Sequence, residues 1–302
     1  MKNNHSFRGM NNFLGLPEES CTYKTSRAVI LPVPYDSTTS YKAGTREGPS
    51  AIIAASRNVE LYDLDLKCEP LNSGVHTLPE LEPDMSGPEG TITRVEGVIR
   101  DILEDGKLPV MLGGEHSLTL GPIKAMISKY GNDFSVLQLD AHADLRDEFE
   151  NTIFNHASVM RRVIEHVPLT QVGIRNISAA EMKFIKRKSH KNVFWAHEIH
   201  DSQNWVEEAC YTLKQKVYIT IDLDVFDPSI MPAVGTPEPG GLDWYRCLAL
   251  LEKVIKEHEL IGLDIVELCP IPGLIYPDFL AAKLLFKLLG RYFVEKKVHC
   301  ED

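Results

Sequence analysis

No run in this sequence approaches the roughly 18 apolar residues that a membrane-spanning helix requires, so no transmembrane segment and no membrane partner are expected. The first residues, Met1-Lys-Asn-Asn-His-Ser-Phe, lack the apolar centre of a secretory signal. Cys21, Cys68, Cys210, Cys247, Cys269 and Cys300 show no paired spacing, and Cys-x-x-Cys is absent. That speaks against a zinc knuckle or a disulfide framework and for reduced thiols in a cytoplasmic protein. Basic residues are in deficit as well, 32 Lys and Arg against 43 Asp and Glu, for a net charge of −11. Such a chain is a poor partner for nucleic acid and a better one for a small cation. No compositional break or internal repeat divides the 302 residues. A single domain over 1–302 is expected, with a polar, Asn-rich arm over 1–25.

What the chain has is an alternation of strand and helix patterns. Continuous apolar runs at 27–33, 108–112, 134–139, 169–174, 191–195, 217–222 and 260–266 predict buried strands. Helices are predicted from Pro49, over 89–104, after Ser117, from His156, around 178–188, at about 202–215 and 243–258, and over 278–293. The segment 69–88 is broken by Pro and Gly and yields no element, and 34–49 is a long irregular loop of the kind that often carries function. Strands of this type separated by helices imply an α/β fold, a parallel sheet covered on both faces.

In such sheets ligands bind beyond the carboxyl ends of the strands. Four strands end in candidate donors: His116; Asp140, His142 and Asp144; Asp222 and Asp224; and Glu267. Asp140, His142 and Asp144 alternate, so in extended chain they share one face at roughly 6–7 Å spacing. Carboxylates with imidazole and no thiolate suit Mn²⁺ or a similar hard divalent ion. Two His and four Asp exceed the roughly four ligands of one zinc ion and suit two ions bridged by shared carboxylates. Four carboxylates and a bridging hydroxide against two divalent ions leave one negative charge, which would attract a guanidinium. Gly113-Gly114 could suggest a phosphate loop, but the Walker lysine and hydroxyl are missing.

Gly113-Gly-Glu-His-Ser, Asp140-Ala-His-Ala-Asp and Ile221-Asp-Leu-Asp-Val-Phe-Asp-Pro together resemble the signature motifs of the ureohydrolases, the arginase and agmatinase family. Gly235-Thr-Pro-Glu-Pro-Gly-Gly and Asp264-Ile-Val-Glu-Leu-Cys-Pro extend the resemblance, which runs from about 32 to 293. It implies a three-layer αβα sandwich with a mostly parallel, eight-stranded sheet, two Mn²⁺ per subunit, and hydrolysis of a guanidino compound to urea and an amine. It implies that His116, Asp140, Asp144 and Asp222 hold one ion, and that His142, Asp140, Asp222 and Asp224 hold the other. It further implies that His156 carries a proton, that Glu267 binds the guanidinium, and that copies assemble as trimers or hexamers.

Among ureohydrolases the stretch from His156 and the acidic loop of Asp147, Glu148 and Glu150 favour agmatinase, with one of those acids holding the distal ammonium of agmatine. Aminopropylagmatine or guanidinobutyrate hydrolase, arginase and formimidoylglutamase are the alternatives. A zinc deacetylase-like hydrolase lies further off, because that branch lacks the histidine found here as His116. A non-enzymatic polyamine or metal sensor is disfavoured by the complete ligand set.

Overall fold

The computed structural model describes residues 11–71 and 74–296. Its eight strands are β1 (Ala28–Val33), β2 (Val75–Thr77), β3 (Leu108–Gly113), β4 (Ser135–Leu139), β5 (Leu169–Ile174), β6 (Val193–Trp195), β7 (Lys216–Asp222) and β8 (Glu259–Val266). They form one sheet in the order β2-β1-β3-β8-β7-β4-β5-β6, with every pairing parallel. Both edge strands are three residues long, which leaves little exposed backbone for another chain to pair with.

Nine α-helices accompany the strands among the described residues: α1 (Gly48–Ser56), α2 (Pro88–Glu104), α3 (Leu120–Tyr130), α4 (Val159–Val163), α5 (Ala179–Lys188), α6 (Ala196–Ile199), α7 (Trp205–Tyr211), α8 (Trp244–Glu257) and α9 (Tyr276–Glu295). Strand alternation sends side chains to two cores. Ala28, Ile30, Leu137, Leu139, Ile219, Ile221 and Leu263 pack with α1, α7, α8 and α9. Val29, Leu31, Val136, Tyr218 and Ile261 pack with α2, α3, α4 and α5. The result is the αβα sandwich expected, and the continuous apolar strands are those of a sheet buried on both faces. Local chemistry agrees with the pattern. Ser178 caps α5 by accepting the Glu181 N–H at 3.3 Å while Glu181 Oε2 accepts the Ser178 N–H at 2.9 Å.

Four expectations need correction. The segment 69–88 contains β2, too short for a periodic signal to reveal. The helix expected at 202–215 is only Trp205–Tyr211, because the chain must turn back through 212–215 to start β7. The arm expected over 1–25 is packed over its described part: Phe13, Leu14, Leu16 and Cys21 are buried, and the Leu14 N–H donates to Ser56 Oγ at 2.8 Å. Residues 1–10 lie outside the described residues. Cys21, Cys210, Cys247 and Cys269 are free thiols, but Cys68 is disulfide-bonded, against the expectation for it. Among the described residues no helix is long and apolar enough to cross a membrane.

Candidate metal centre

The carboxyl ends of β3, β4, β7 and β8 meet in the middle of one sheet rim, which is why residues over 100 positions apart share a site. His116 follows the Gly113-Gly114 turn after β3, where Gly114 passes so close to the Tyr35 backbone that a Cβ would fall 1.9 Å from its carbonyl oxygen. Only glycine allows that approach. His116 Nδ1 lies 3.0 Å from Asp140 Oδ2, 3.1 Å from Asp144 Oδ2 and 3.4 Å from Asp222 Oδ2. His142 Nδ1 lies 2.8 Å from Asp224 Oδ2 and 3.6 Å from Asp140 Oδ1. The structure thus gathers five of the six donors into two adjoining groups, His116–Asp140–Asp144 and Asp140–His142–Asp224, with Asp140 common to both and Asp222 beside His116.

The fit of a cation can be tested on His116. Thr220 Oγ1 gives its proton to Asp264 Oδ1 at 2.7 Å, so it can only accept from His116 Nε2, 2.9 Å away. Asp264 is itself held by the Tyr218 hydroxyl, which donates to Oδ2 at 2.7 Å. Nε2 therefore carries the N–H, and Nδ1 is aimed at three carboxylates. Nδ1 is buried and makes no hydrogen bond despite those short distances. Convergence of carboxylates and imidazole with angles unsuited to hydrogen bonds is the geometry of a ligand set.

Electrostatics tells the same story from the protein side. Burial raises Asp144 to about 7, helped by the charge on Asp140, and it raises Asp222 well above the carboxylate range together with Asp224 and Asp140. Burial also works against Asp140, but His116 and His142 outweigh it and hold Asp140 low. Burial disfavours charge on both imidazoles, yet the carboxylates lift His116 and His142 far above their ordinary value. The cluster thus retains protons where cations belong. Around it, Gln138 Nε2 donates to Asp140 Oδ2 at 2.7 Å, the Ala141 N–H to Asp224 Oδ1 at 2.9 Å, and the Asp224 N–H to Asp222 Oδ1 at 2.9 Å. Each fixes a carboxylate rotamer.

The cavity beside these donors has a volume of about 200 Å³ and is lined by His116, His142, Asp144, Asp222, His156 and Glu267, and also by Lys42, Arg146, Phe149 and Asn176. His156 and Glu267, expected from the sequence as site residues, thus line the same cavity as the ion donors; the acids expected to join them there are Asp147, Glu148 and Glu150. These three lie elsewhere. All three are exposed and none lines the cavity. The chain turns tightly at Glu150 and Asn151, with φ of 49° and 64°, and the Phe149 N–H bonds back to the Thr152 carbonyl at 3.0 Å. That turn faces Phe149 inward and the acids outward, and Asp147 Oδ1 pairs with Arg161 and Arg162 at 3.3 and 3.1 Å. Glu238 is the acid sequence reasoning missed: it accepts from Asn176 Nδ2, and its Oε1 is 4.0 Å from His142 Nε2. A further group at the opposite strand ends, Cys210, Glu257 and His258, is already engaged, since Lys253 closes Glu257 at 2.6 Å.

A parallel α/β sheet with a carboxylate–imidazole cavity on its carboxyl rim has the build of an enzyme's active site, and the arginase-family relatives make this one a hydrolase. A family model described as the Arginase family matches residues 26–290, and the chain belongs to that family. It is 42% identical to the N(1)-aminopropylagmatine ureohydrolase of Synechocystis sp. over 90% of this chain and 91% of that protein. Against the agmatinase of Pyrococcus horikoshii the identity is 35%, over 88% of this chain and 92% of the other. The crystal structure of the agmatine ureohydrolase of Thermoplasma volcanium superposes with a TM-score of 0.85 at 30% identity, covering 99% of this chain and 98% of that one.

Proposed function

We propose that this protein is an agmatinase, hydrolysing agmatine with water to putrescine and urea at a centre of two manganese ions. The observation that carries the reading is the pairing of the two donor groups around Asp140 with Glu267 on the wall of the same cavity. His116, Asp140, Asp144 and Asp222 would hold one ion, and His142, Asp140, Asp222 and Asp224 the other. Bound there, the ions would supply an activated water nucleophile at neutral pH.

The chain's own residues do the rest. Glu267 has one oxygen, Oε1, tied to the His116 N–H at 2.7 Å. Its carboxylate offers charge and planar acceptors to a guanidinium, which orients the electrophilic carbon over the donors. His156 lines the cavity and delivers a proton to the departing amine, without which that nitrogen would leave as an anion. Phe149 meets the His156 ring edge-on at a centroid distance of 5.9 Å and narrows access for water.

N1-aminopropylagmatine is the second reading, favoured by the 42% identity to an enzyme named for it. Urea release by Mn-loaded protein from agmatine, N1-aminopropylagmatine and arginine tests both. Agmatine should lead; a clear preference for the aminopropyl compound would install the second reading, and comparable turnover of arginine would overturn both. The same reading makes the protein cytoplasmic and homo-oligomeric, which fractionation and light scattering check.

A further inference from the structure

Glu115 lies in the Gly-Gly-Glu-His-Ser turn yet reaches away from the ion donors. It is fully buried, and its Oε2 accepts the backbone N–H groups of Ser37 and Thr38 at 2.6 and 2.7 Å. Its Oε1 accepts from Ser117 Oγ at 2.5 Å and from Thr38 Oγ1 at 2.7 Å. A carboxylate so surrounded by donors is an acceptor only, and it takes the single hydroxyl proton of Thr38. Thr38 Oγ1 is left with lone pairs, and two donors approach them. One is the backbone N–H of His156 at 3.2 Å, and the other is His156 Nδ1 at 3.3 Å. Nδ1 therefore carries the ring proton, and Nε2 is left as the basic nitrogen of this cavity-lining imidazole.

We infer that Thr38, oriented by Glu115, is a positioning residue that sets the Nδ1–H tautomer of His156 and so makes Nε2 the atom through which protons pass. This rests on the reading of His156 as the proton-carrying group. Nε2 takes one proton from water as the water oxygen forms its bond to the guanidino carbon, and returns that proton to the amine nitrogen, which keeps the electron pair of the C–N bond as it breaks and urea is left. The long segment of residues 34–47 thereby acquires a role: it brings a hydroxyl across to a residue 118 positions away. Phe149, itself covered by the Arg146 guanidinium at 4.9 Å from its ring centre, packs against the ring and opposes its rotation.

The test compares Thr38→Val, Thr38→Ser and His156→Asn in Mn-loaded full-length protein, measuring kcat, KM, metal content and thermal midpoint. Thr38→Val keeps the shape and loses the hydroxyl, so kcat should fall about tenfold or more with KM within about twofold, and Thr38→Ser should restore most of it. Metal content and thermal midpoint should hold in all three. An active His156→Asn would overturn the role of His156 itself. An inactive His156→Asn beside a fully active Thr38→Val would overturn the relay alone. Loss of metal or folding in step with rate, unrescued by serine, would make Thr38 structural and equally overturn it.

Discussion

Glu267 Oε1 accepts the backbone N–H of His116 at 2.7 Å, so the end of β8 and the turn after β3 hold one another in place. The residue pays for its position with left-handed backbone, φ 67°, and burial together with the Glu115 charge raises its carboxyl to about 8. A cation arriving in the cavity relieves that burden by favouring the ionised form. Glu267→Gln should therefore raise KM for the guanidino substrate by roughly tenfold or more, the loss of a charge-assisted pair, while the ion donors keep their metal. An unchanged KM in steady-state assays would remove Glu267 from substrate binding.

Ion uptake should be strongly pH-dependent. Asp144 and Asp222 are raised by burial, and His142 is raised by Asp224 and Asp140 against its burial, so the ion-free cluster holds protons at neutral pH. Each must leave before an ion enters, so affinity rises with pH and falls as pH drops through about 7, where Asp144 protonates. Titrating Mn²⁺ into dialysed protein should release protons and saturate near two ions per chain. Saturation at one ion with full activity would sink the binuclear centre. Asp140→Ala, which lies in both donor groups, should retain the least metal of any single ligand variant.

Selectivity should be indifferent to the outer acids. Asp147, Glu148 and Glu150 face solvent, so Asn or Gln in their place should leave KM for agmatine within about twofold, and Asp147→Asn should cost at most roughly 1 kcal/mol through its exposed ion pairs. Lys42 and Arg146 line the cavity, and Lys42→Met should lower KM for a dicationic substrate by removing like charge. A large KM increase from any of the three acid variants would mean that the loop closes over the substrate.

Stability should fall on acidification for a reason seated away from the rim. Burial lowers His190 to about 4, while an unfolded histidine titrates near 6.5. Between those values the unfolded chain binds a proton that the folded chain does not, so stability is lost as pH falls through that window, by roughly 1–3 kcal/mol after allowing for partial exposure. His190→Asn should flatten the difference in urea midpoint between pH 7 and pH 5. An undiminished difference would assign the acid sensitivity to other groups.

The sheet and the ion donors were legible because their signals are local: continuous apolar runs, and Asp and His at strand ends. What escaped was set by tertiary placement. Val75-His-Thr77 is too short to show a period, and only pairing with β1 makes it a strand. Thr38 reads as loop composition until the fold lays it beside His156. Gln138, Thr220 and Asp264 are polar residues inside apolar strand runs, and that oddity was the available sign of the hydrogen bonds that hold Asp140 and His116. The acids after Asp144 misled because sequence gives their number and not the turn at Glu150 that points them outward.

The strand order carries one more consequence, for the order of events during synthesis. The strands β2-β1-β3 and β7-β4-β5-β6 meet only through β8, which begins at Glu259. Until β8 has left the ribosome, His116 and the aspartates of β4 and β7 belong to two unjoined half-sheets. A nascent enzyme therefore passes through most of its translation with exposed strand edges and no assembled ion site, a state that favours mispairing and chaperone capture. Chains stalled at residue 258 should remain protease-sensitive with or without Mn²⁺. Resistance gained from Mn²⁺ at that length would show that the site forms before the sheet is closed.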